Sequence, residues 1–259
     1  MEFMASLPDK SIDLILTDPP YQTTDCAFDK IKIDWNKHWE QWRRIIKDNG
    51  SIVIFSQMPF TTVITYPALD IYRHRWIWQK DKCGNFLAAK GQPLKYTEDI
   101  NVFSKTGYNQ PHNAKNKSFK STYNPQFRDG SGKARGTDSQ RIGLSINKIK
   151  DGKKKYRLKS DNITDGKVRY PQDILFFNVP FSRNERIHPT QKPVDLIGYL
   201  MNTYSNTGDR IFDPFGGSGT SAIAADILNR NLDICELDKE YFDMSVKRYN
   251  THISQTKLF

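Results

Sequence analysis

The chain has 259 residues, of which 37% are hydrophobic, and its mean hydropathy of −0.68 is typical of a globular protein that folds in water. The longest apolar run near the start, Leu14-Ile15-Leu16, is far too short to span a membrane, and residues 1–4 lack the features of a signal peptide, so we expect a cytoplasmic protein with no membrane partner. The net charge of +10 points to a polyanionic partner, while the three scattered cysteines (Cys26, Cys83 and Cys235) show no metal-ligand spacing and argue against a disulfide framework.

The first predicted element is a strand at residues 12–17, which stops abruptly because two prolines follow Asp18. A helix is predicted from about residue 36 to residue 48, since large apolar side chains follow helical spacing there (Trp35, Trp39, Trp42 and Ile46). The pair Asn49-Gly50 is expected to end this helix.

Four further elements are predicted before the composition changes near residue 105. Residues 51–55 form a continuous apolar run, which is typical of a buried parallel strand. A second helix is expected to follow Pro59. Residues 73–78 and 99–103 resemble two more strands in composition.

Residues 105–170 are rich in Gly, Ser, Asn and Lys and lack a clear period, so they predict an insertion with short elements and long loops. This segment holds 17 Lys and Arg against five Asp, a charge of +12, whereas the rest of the chain carries −2. A polyanion bound to the segment is the simple explanation, and the alternative is a solvated, mobile basic loop without a partner.

Regular structure is predicted again after Pro193. A helix with one apolar face is expected to end at Gly208, and it is followed by a strand from residue 210 and a glycine turn at residues 216–219. A helix at about residues 223–228, a strand at 232–235 and a last helix complete the chain. The alternation of strands and helices predicts a parallel sheet covered on both faces.

The glycine turn lies within residues 212–220, which read Phe-Asp-Pro-Phe-Gly-Gly-Ser-Gly-Thr. Glycines between a strand and a helix allow a sharp turn and the close approach of a ligand. Glu236, 17 residues beyond Gly219, ends the next strand and could accept hydrogen bonds from two ribose hydroxyls. The pattern indicates an adenosine-containing cofactor, although a nicotinamide enzyme or a purely structural turn would also fit.

The sequence Asp18-Pro19-Pro20-Tyr21 follows the first strand, where open α/β sheets place their active sites. The Asp18 carboxylate and the Pro19 carbonyl could accept the two hydrogens of an exocyclic amine and aim its lone pair at a methyl donor. Paired prolines stiffen this backbone, and the Tyr21 ring could stack on a base rotated out of a duplex. The alternative is a strand-ending turn in which Tyr21 simply packs.

Together, these segments and the sequence at residues 188–193 (His-Pro-Thr-Gln-Lys-Pro) resemble the amino-group DNA methyltransferases, specifically their permuted β class. The resemblance covers roughly residues 1–105 and 180–250. It implies an α/β, Rossmann-like S-adenosylmethionine-dependent methyltransferase fold, circularly permuted, with an inserted target-recognition region. The implied divisions are a catalytic half at 1–104, a basic target-recognition region at 105–180 and a cofactor-binding half at 181–259.

The resemblance also implies roles for individual residues. The glycine turn would hold the methionine part of S-adenosylmethionine, with Asp213, Pro214, Phe215, Gly216, Gly217, Ser218 and Gly219 as candidate contacts. Glu236 would bind the ribose, and the helix opened by residues 188–193 would close over the methionine end through Thr190, Gln191 and Lys192. Candidate phosphate contacts in the basic insertion are Lys133, Arg135, Lys153, Lys154 and Lys155.

The implied reaction is direct methyl transfer to the exocyclic N6 amino group of adenine in double-stranded DNA, because an Asp at the first motif position usually accompanies adenine. Cytosine N4 methylation and an RNA substrate are alternatives. A third is a DNA-binding homologue without catalysis, since residues 1–4 begin where relatives have already passed a Gly-Asp segment that helps to hold the adenine of the cofactor. A homodimer and the cognate endonuclease of a restriction-modification system are further candidate partners.

Overall fold

The computed structural model describes residues 1–22, 31–106, 120–129, 168–180 and 191–256. The part before residue 106 contains two 3-10 segments (Tyr66–Ile71 and Phe86–Ala88) and the following elements: α1 (Glu2–Ser6), β1 (Ile12–Thr17), α2 (Trp35–Ile45), β2 (Ile46–Ser56), α3 (Phe60–Thr65), β3 (Tyr72–Gln79) and β4 (Thr97–Phe103).

The later part of the chain contributes three short strands and then alternating helices and strands. These elements are β5 (Arg128–Asp129), β6 (Val168–Arg169), β7 (Ile174–Phe176), α4 (Val194–Tyr204), β8 (Arg210–Asp213), α5 (Thr220–Leu228), β9 (Asn231–Ile234) and α6 (Lys239–Thr256). Among the helices of the described ranges, none is long and apolar enough to cross a membrane.

Within the described residues, seven strands form one sheet in the order β7-β3-β4-β2-β1-β8-β9, while β5 and β6 pair separately. The predicted α/β architecture is confirmed, but the expectation of a wholly parallel sheet is wrong, because β4 runs antiparallel to both β2 and β3. The physical reason is the connection at residues 80–96, whose regular structure is one short 3-10 segment. A parallel neighbour is usually reached by a helix that crosses one face of the sheet, and the described residues 80–96 contain no such helix, so β4 turns back beside β3.

The predicted helix after residue 35 ends earlier than expected. Helix α2 stops at Ile45 and β2 begins at Ile46, so Asn49-Gly50 lies inside a strand. A Cβ at Gly50 would come within 2.7 Å of the Asp13 carbonyl oxygen. This glycine therefore permits close approach of β1 and β2, where their register shifts, rather than ending a helix.

The main sheet is buried on both faces, as predicted. Helices α4 and α5 cover one face, where Tyr204 packs with Leu14 and Leu16. Helices α1, α2 and α3 cover the other, where Trp42 packs with Ile15. Since burial of each large apolar side chain contributes about 1.5–3 kcal/mol, these two layers fix β1 as a central strand and so fix the position of the residues that follow it.

Candidate active site

The carboxyl ends of β1 and β8 lie side by side in the sheet. The strands are parallel neighbours, with Ile15 opposite Phe212, and the Thr17 hydroxyl donates a hydrogen bond of 2.9 Å to the Asp213 carboxylate, 196 residues later in the chain. The Asp-Pro-Pro-Tyr motif at residues 18–21 and the glycine turn after β8 therefore begin at the same edge of the sheet, although they are far apart in sequence.

One cavity of about 1530 Å³ opens at this edge. It is larger than the roughly 300–1,000 Å³ of an ordinary ligand pocket, so it has room for a cofactor and a base in contact. Its lining includes most of the predicted site residues that the structure describes: Asp18, Pro19, Pro20, Tyr21, Gln191, Lys192, Asp213, Pro214, Phe215, Gly216, Gly217, Ser218 and Glu236. Gly219 is not in this lining and instead packs against α6, where a Cβ would meet that of Ser245 at 2.9 Å.

Asp18 belongs to a cluster of charged groups at the base of the cavity, defined here as Asp18, Tyr21, Lys80, Glu98 and Lys192. The Lys192 ammonium lies 2.5 Å from the Asp18 carboxylate and 3.1 Å from that of Glu98. The Tyr21 hydroxyl lies 2.7 Å from Asp18 Oδ1 and 2.6 Å from Glu98 Oε1. Lys80 completes the cluster, with its ammonium 2.6 Å from Glu98 Oε2, so two cations balance two carboxylates.

The protonation states in this cluster follow from burial and charge. Burial raises the pKa of Asp18, the Lys192 ammonium opposes that rise, and the negative charge of Glu98 adds to it. Burial alone would also raise the pKa of Glu98, but Lys192 and Lys80 lower it to about 2. Burial and the two carboxylates raise the pKa of Tyr21 well above its usual value. Of the two carboxyls in the cluster, Asp18 therefore accepts a proton at the higher pH.

Glu98 and Lys80 were not identified from the sequence. Glu98 lies on the same face of β4 as Ile100 and Val102, which are fully buried, and its own side chain is only 5% exposed. An acidic residue at an inward position of an alternating strand indicates a buried partner, and this was the available signal. Lys80 directly follows β3, but its sequence context does not distinguish it from a surface lysine.

Tyr21 has less freedom than the sequence suggested. Its ring stacks on Phe60, with centroids 5.3 Å apart and planes 20° apart, so at most one ring face is left for a base. The Lys192 ammonium lies 5.8 Å from the centroid of the same ring. Packing and hydroxyl contacts together fix the orientation of Tyr21.

The glycine turn is held in shape by contacts within the protein. A Cβ at Gly216 would come within 2.5 Å of Ile234, so only glycine allows β9 to lie so close. The Gly217 amide donates to Glu236 Oε2 at 2.7 Å, and the Asp238 amide donates to Oε1 at 2.9 Å. The Glu236 carboxylate thus closes the turn and keeps further acceptor capacity on each oxygen.

Asp213 fixes the other end of the turn. Its carboxylate accepts hydrogen bonds from Thr17, from the Ser221 hydroxyl at 2.6 Å and from the Phe215 amide at 3.2 Å. Burial nevertheless raises the pKa of Asp213 to about 6, against the effect of these donors. The residue joins β1, β8 and α5.

Gln191 and Lys192 are buried just before α4. The Thr220 hydroxyl, at the start of α5, donates to the Lys192 carbonyl at 3.3 Å, while the side chain of Lys192 binds Asp18 and Glu98. Lys192 therefore connects the start of α5 to residues 18–21, called the Asp18 corner below. The predicted contact of Lys192 with the cofactor stays a prediction.

Several predicted site residues lie outside the described residues. They are Thr190 and the basic residues Lys133, Arg135, Lys153, Lys154 and Lys155. Their assignments as cofactor and phosphate contacts also stay predictions.

Comparison with known proteins identifies the family. The sequence profile of the N6_N4_Mtase family, described as DNA methylase, matches residues 12–247. Two relatives are each 28% identical to the chain. Type II methyltransferase M.HpaI of Haemophilus parainfluenzae matches over 97% of this chain and 72% of the relative. DNA adenine methyltransferase YhdJ of Escherichia coli K12 matches over 98% of this chain and 82% of the relative.

Two solved structures have the same fold. The M1.HpyAVI–SAM complex is 21% identical, with a TM-score of 0.57, over 96% of this chain and 92% of that chain. The cytosine-N4-specific PvuII DNA methyltransferase is 16% identical, with a TM-score of 0.62, over 96% of this chain and 83% of that chain. These likenesses confirm the predicted Rossmann-like methyltransferase fold. Since the family profile matches most of this chain, the chain belongs to the N6_N4_Mtase family of DNA methylases, whose methyl donor is S-adenosylmethionine.

Proposed function

We propose that this protein is a site-specific methyltransferase that transfers a methyl group from S-adenosylmethionine to the exocyclic N6 amino group of adenine in double-stranded DNA. The observation that carries the proposal is the single cavity lined by both the Asp18 corner and the glycine turn. Asp at position 18 and the 28% identity to an adenine methyltransferase, YhdJ, favour adenine.

The residues of the turn suit S-adenosylmethionine. Glu236 retains acceptor capacity for ribose hydroxyls, and a Cβ at Gly217 would meet no protein atom within 4 Å, so the turn faces open space where the methionine part would lie. The amino end of α5, next to Ser218 and Thr220, suits a carboxylate. When bound, the cofactor supplies an electrophilic methyl group on its sulfonium sulfur.

The Asp18 corner would prepare the amine. Asp18 and the Pro19 carbonyl accept its two hydrogens and direct the nitrogen lone pair toward the methyl carbon. On receiving the methyl group that the cofactor would supply, the amine nitrogen would release one proton. Asp18 is the acceptor of that proton, because its raised pKa allows it to take one up.

The partner surface rests on charge and on the family. The basic segment at residues 105–180 would neutralise DNA phosphates through Lys133, Arg135 and Lys153–Lys155, while the target base is extruded into the cavity. Bacterial DNA lies in the cytoplasm, which is the proposed location. A homodimer and a cognate restriction endonuclease are the proposed protein partners, in keeping with the type II relative M.HpaI.

Cytosine N4 is the second candidate target, because the same pair of acceptors would hold either amine and one structural neighbour is cytosine-N4-specific. Incubation of DNA with the protein and S-adenosylmethionine, followed by nucleoside mass spectrometry, distinguishes N6-methyladenine from N4-methylcytosine. Sequencing-based mapping of the methylated bases then gives the target site.

The variant Asp18→Asn tests the role of the corner. We expect it to abolish detectable methyl transfer while calorimetry still shows binding of S-adenosylmethionine. The matched control is Asp9→Asn, whose carboxylate is 74% exposed and lies at the opposite end of β1. Full activity in Asp18→Asn would refute the assignment, and a wild-type protein that binds DNA without methylating it would favour the non-catalytic alternative.

A further inference from the structure

We propose that Glu98 is a positioning residue of the methyl-transfer site, which orients Asp18 through the Lys192 ammonium and the Tyr21 hydroxyl. This inference rests on the proposed function. Glu98 lies on β4, the antiparallel strand of the sheet, and it belongs to neither the Asp18 motif nor the glycine turn. It acts on Asp18 through shared partners.

The geometry places Glu98 where it controls both partners of Asp18. Its Oε1 atom lies 3.1 Å from the Lys192 ammonium and 2.6 Å from the Tyr21 hydroxyl. Its Oε2 atom is held at 2.6 Å by Lys80. With 5% exposure of its side chain, Glu98 is a fixed anion, against which Lys192 and Tyr21 are positioned before any substrate binds.

The Tyr21 hydroxyl makes the coupling specific. It has one hydrogen to donate and two carboxylate oxygens within 2.7 Å, one from Asp18 and one from Glu98. Whenever this hydrogen is donated to Glu98, it is not donated to Asp18. The Lys192 ammonium has three hydrogens and binds both carboxylates at once. Removal of Glu98 therefore leaves the Lys192 charge facing Asp18 alone and releases the Tyr21 hydrogen to Asp18, which changes the orientation in which Asp18 meets the amine.

The charged groups that face Asp18 set the sign of the expected pH effect. They are Lys192 before α4, Glu98 on β4 and Tyr21 in the same loop, with Asp213 on β8 also near enough to interact. The negative charge of Glu98 raises the pKa of Asp18, whereas the Tyr21 hydrogen bond lowers it. If ionised Asp18 is required for activity, loss of these two groups moves the acidic limb of kcat/KM in opposite directions.

The test compares Glu98→Gln with the wild-type enzyme in methylation of a duplex that it modifies. We expect kcat to fall about 10- to 100-fold, the cost of small displacements of reacting groups, while KM for DNA stays within about twofold. The acidic limb of kcat/KM should move to lower pH. The matched control is Asp99→Asn, since Asp99 is the next residue of β4 and binds Arg75 and Thr61 instead of the cluster.

A second variant, Tyr21→Phe, keeps the ring and removes the hydroxyl. We expect kcat to fall and the acidic limb to move to higher pH, and the losses of the double variant should be smaller than the product of the single losses. Calorimetry with S-adenosylmethionine and thermal melting report folding of each variant. If Glu98→Gln does not fold, a Tyr21→Phe enzyme with unchanged kcat and pH dependence would still overturn the proposal.

Three results would overturn the proposal. They are a Glu98→Gln enzyme with wild-type kcat, a fall in kcat with an unmoved acidic limb, and a Tyr21→Phe enzyme equal to wild type in both properties. A wild-type protein that does not methylate DNA would instead refute the proposed function, so the two failures are distinguishable.

Discussion

Lys192 is the cation between the carboxylates of Asp18 and Glu98, whose side chains are 23% and 5% exposed, and its removal is expected to destabilise the fold strongly. The variant Lys192→Met keeps an unbranched side chain of similar length but loses the ammonium. Asp18 and Glu98 would then face one another with Lys80 as the remaining cation of the cluster. Because an unpaired buried charge costs about 3–5 kcal/mol, we expect the free energy of unfolding to fall by about that amount at neutral to alkaline pH.

The loss of unfolding free energy in Lys192→Met should increase as the pH rises. Lys192 lowers the pKa of Asp18, so its removal raises that pKa further above the usual value of 3.8. A carboxyl with a raised pKa in the folded state contributes stability that is present at low pH and lost as the pH rises through the folded-state pKa. The difference from wild type should therefore grow as the pH rises and shrink as the solution becomes acidic.

Urea denaturation followed by tryptophan fluorescence at several pH values measures both effects. The matched control is Lys10→Met, which removes the ammonium of an ion pair whose side chains are 59% and 44% exposed, and such a pair contributes about 0–1 kcal/mol. The reasoning is refuted if Lys192→Met loses less than about 1 kcal/mol, or if its loss is the same at both ends of the pH range.

Three further predictions concern the turn, its anchor and the partner. Gly216→Ala should lower the free energy of unfolding by about 1–3 kcal/mol through overpacking, because its Cβ would lie 2.5 Å from Ile234. In the control variant Gly84→Ala, the new Cβ meets no atom within 4 Å. Equal melting temperatures for the two variants would contradict the packing argument. With the pKa of Asp213 raised to about 6, the free energy of unfolding of the wild type should fall as the pH rises from about 4 to about 7, and Asp213→Asn should remove that part of the slope in denaturation experiments. DNA binding should weaken steeply as salt rises from about 50 to about 200 mM, as measured by fluorescence anisotropy, and affinity independent of salt would count against phosphate contacts by the basic insertion.

Local sequence features predicted most of the elements correctly. The apolar run at residues 12–17 and the prolines after Asp18 define β1 and its end without reference to the rest of the chain. The glycine turn, with a strand before it and a helix after it, likewise appears where it was predicted. These features depend on neighbours within a few residues, so sequence is sufficient for them. The end of α2 was missed, because tertiary pairing of Ile46 with Ile12 overrides a helical pattern that continues past it.

The sequence by itself determined the family, the motifs and the concentration of positive charge in residues 105–170, since each of these is carried by residue identity and order. The tertiary structure alone decided the direction of β4 and, with it, the placement of Glu98 beside Lys192 and Asp18. The inward position of Glu98 in an alternating strand signals a buried partner, but the identity of that partner is set by the packing of the sheet. The environment of Asp18, and hence its pKa, is therefore a property of the fold.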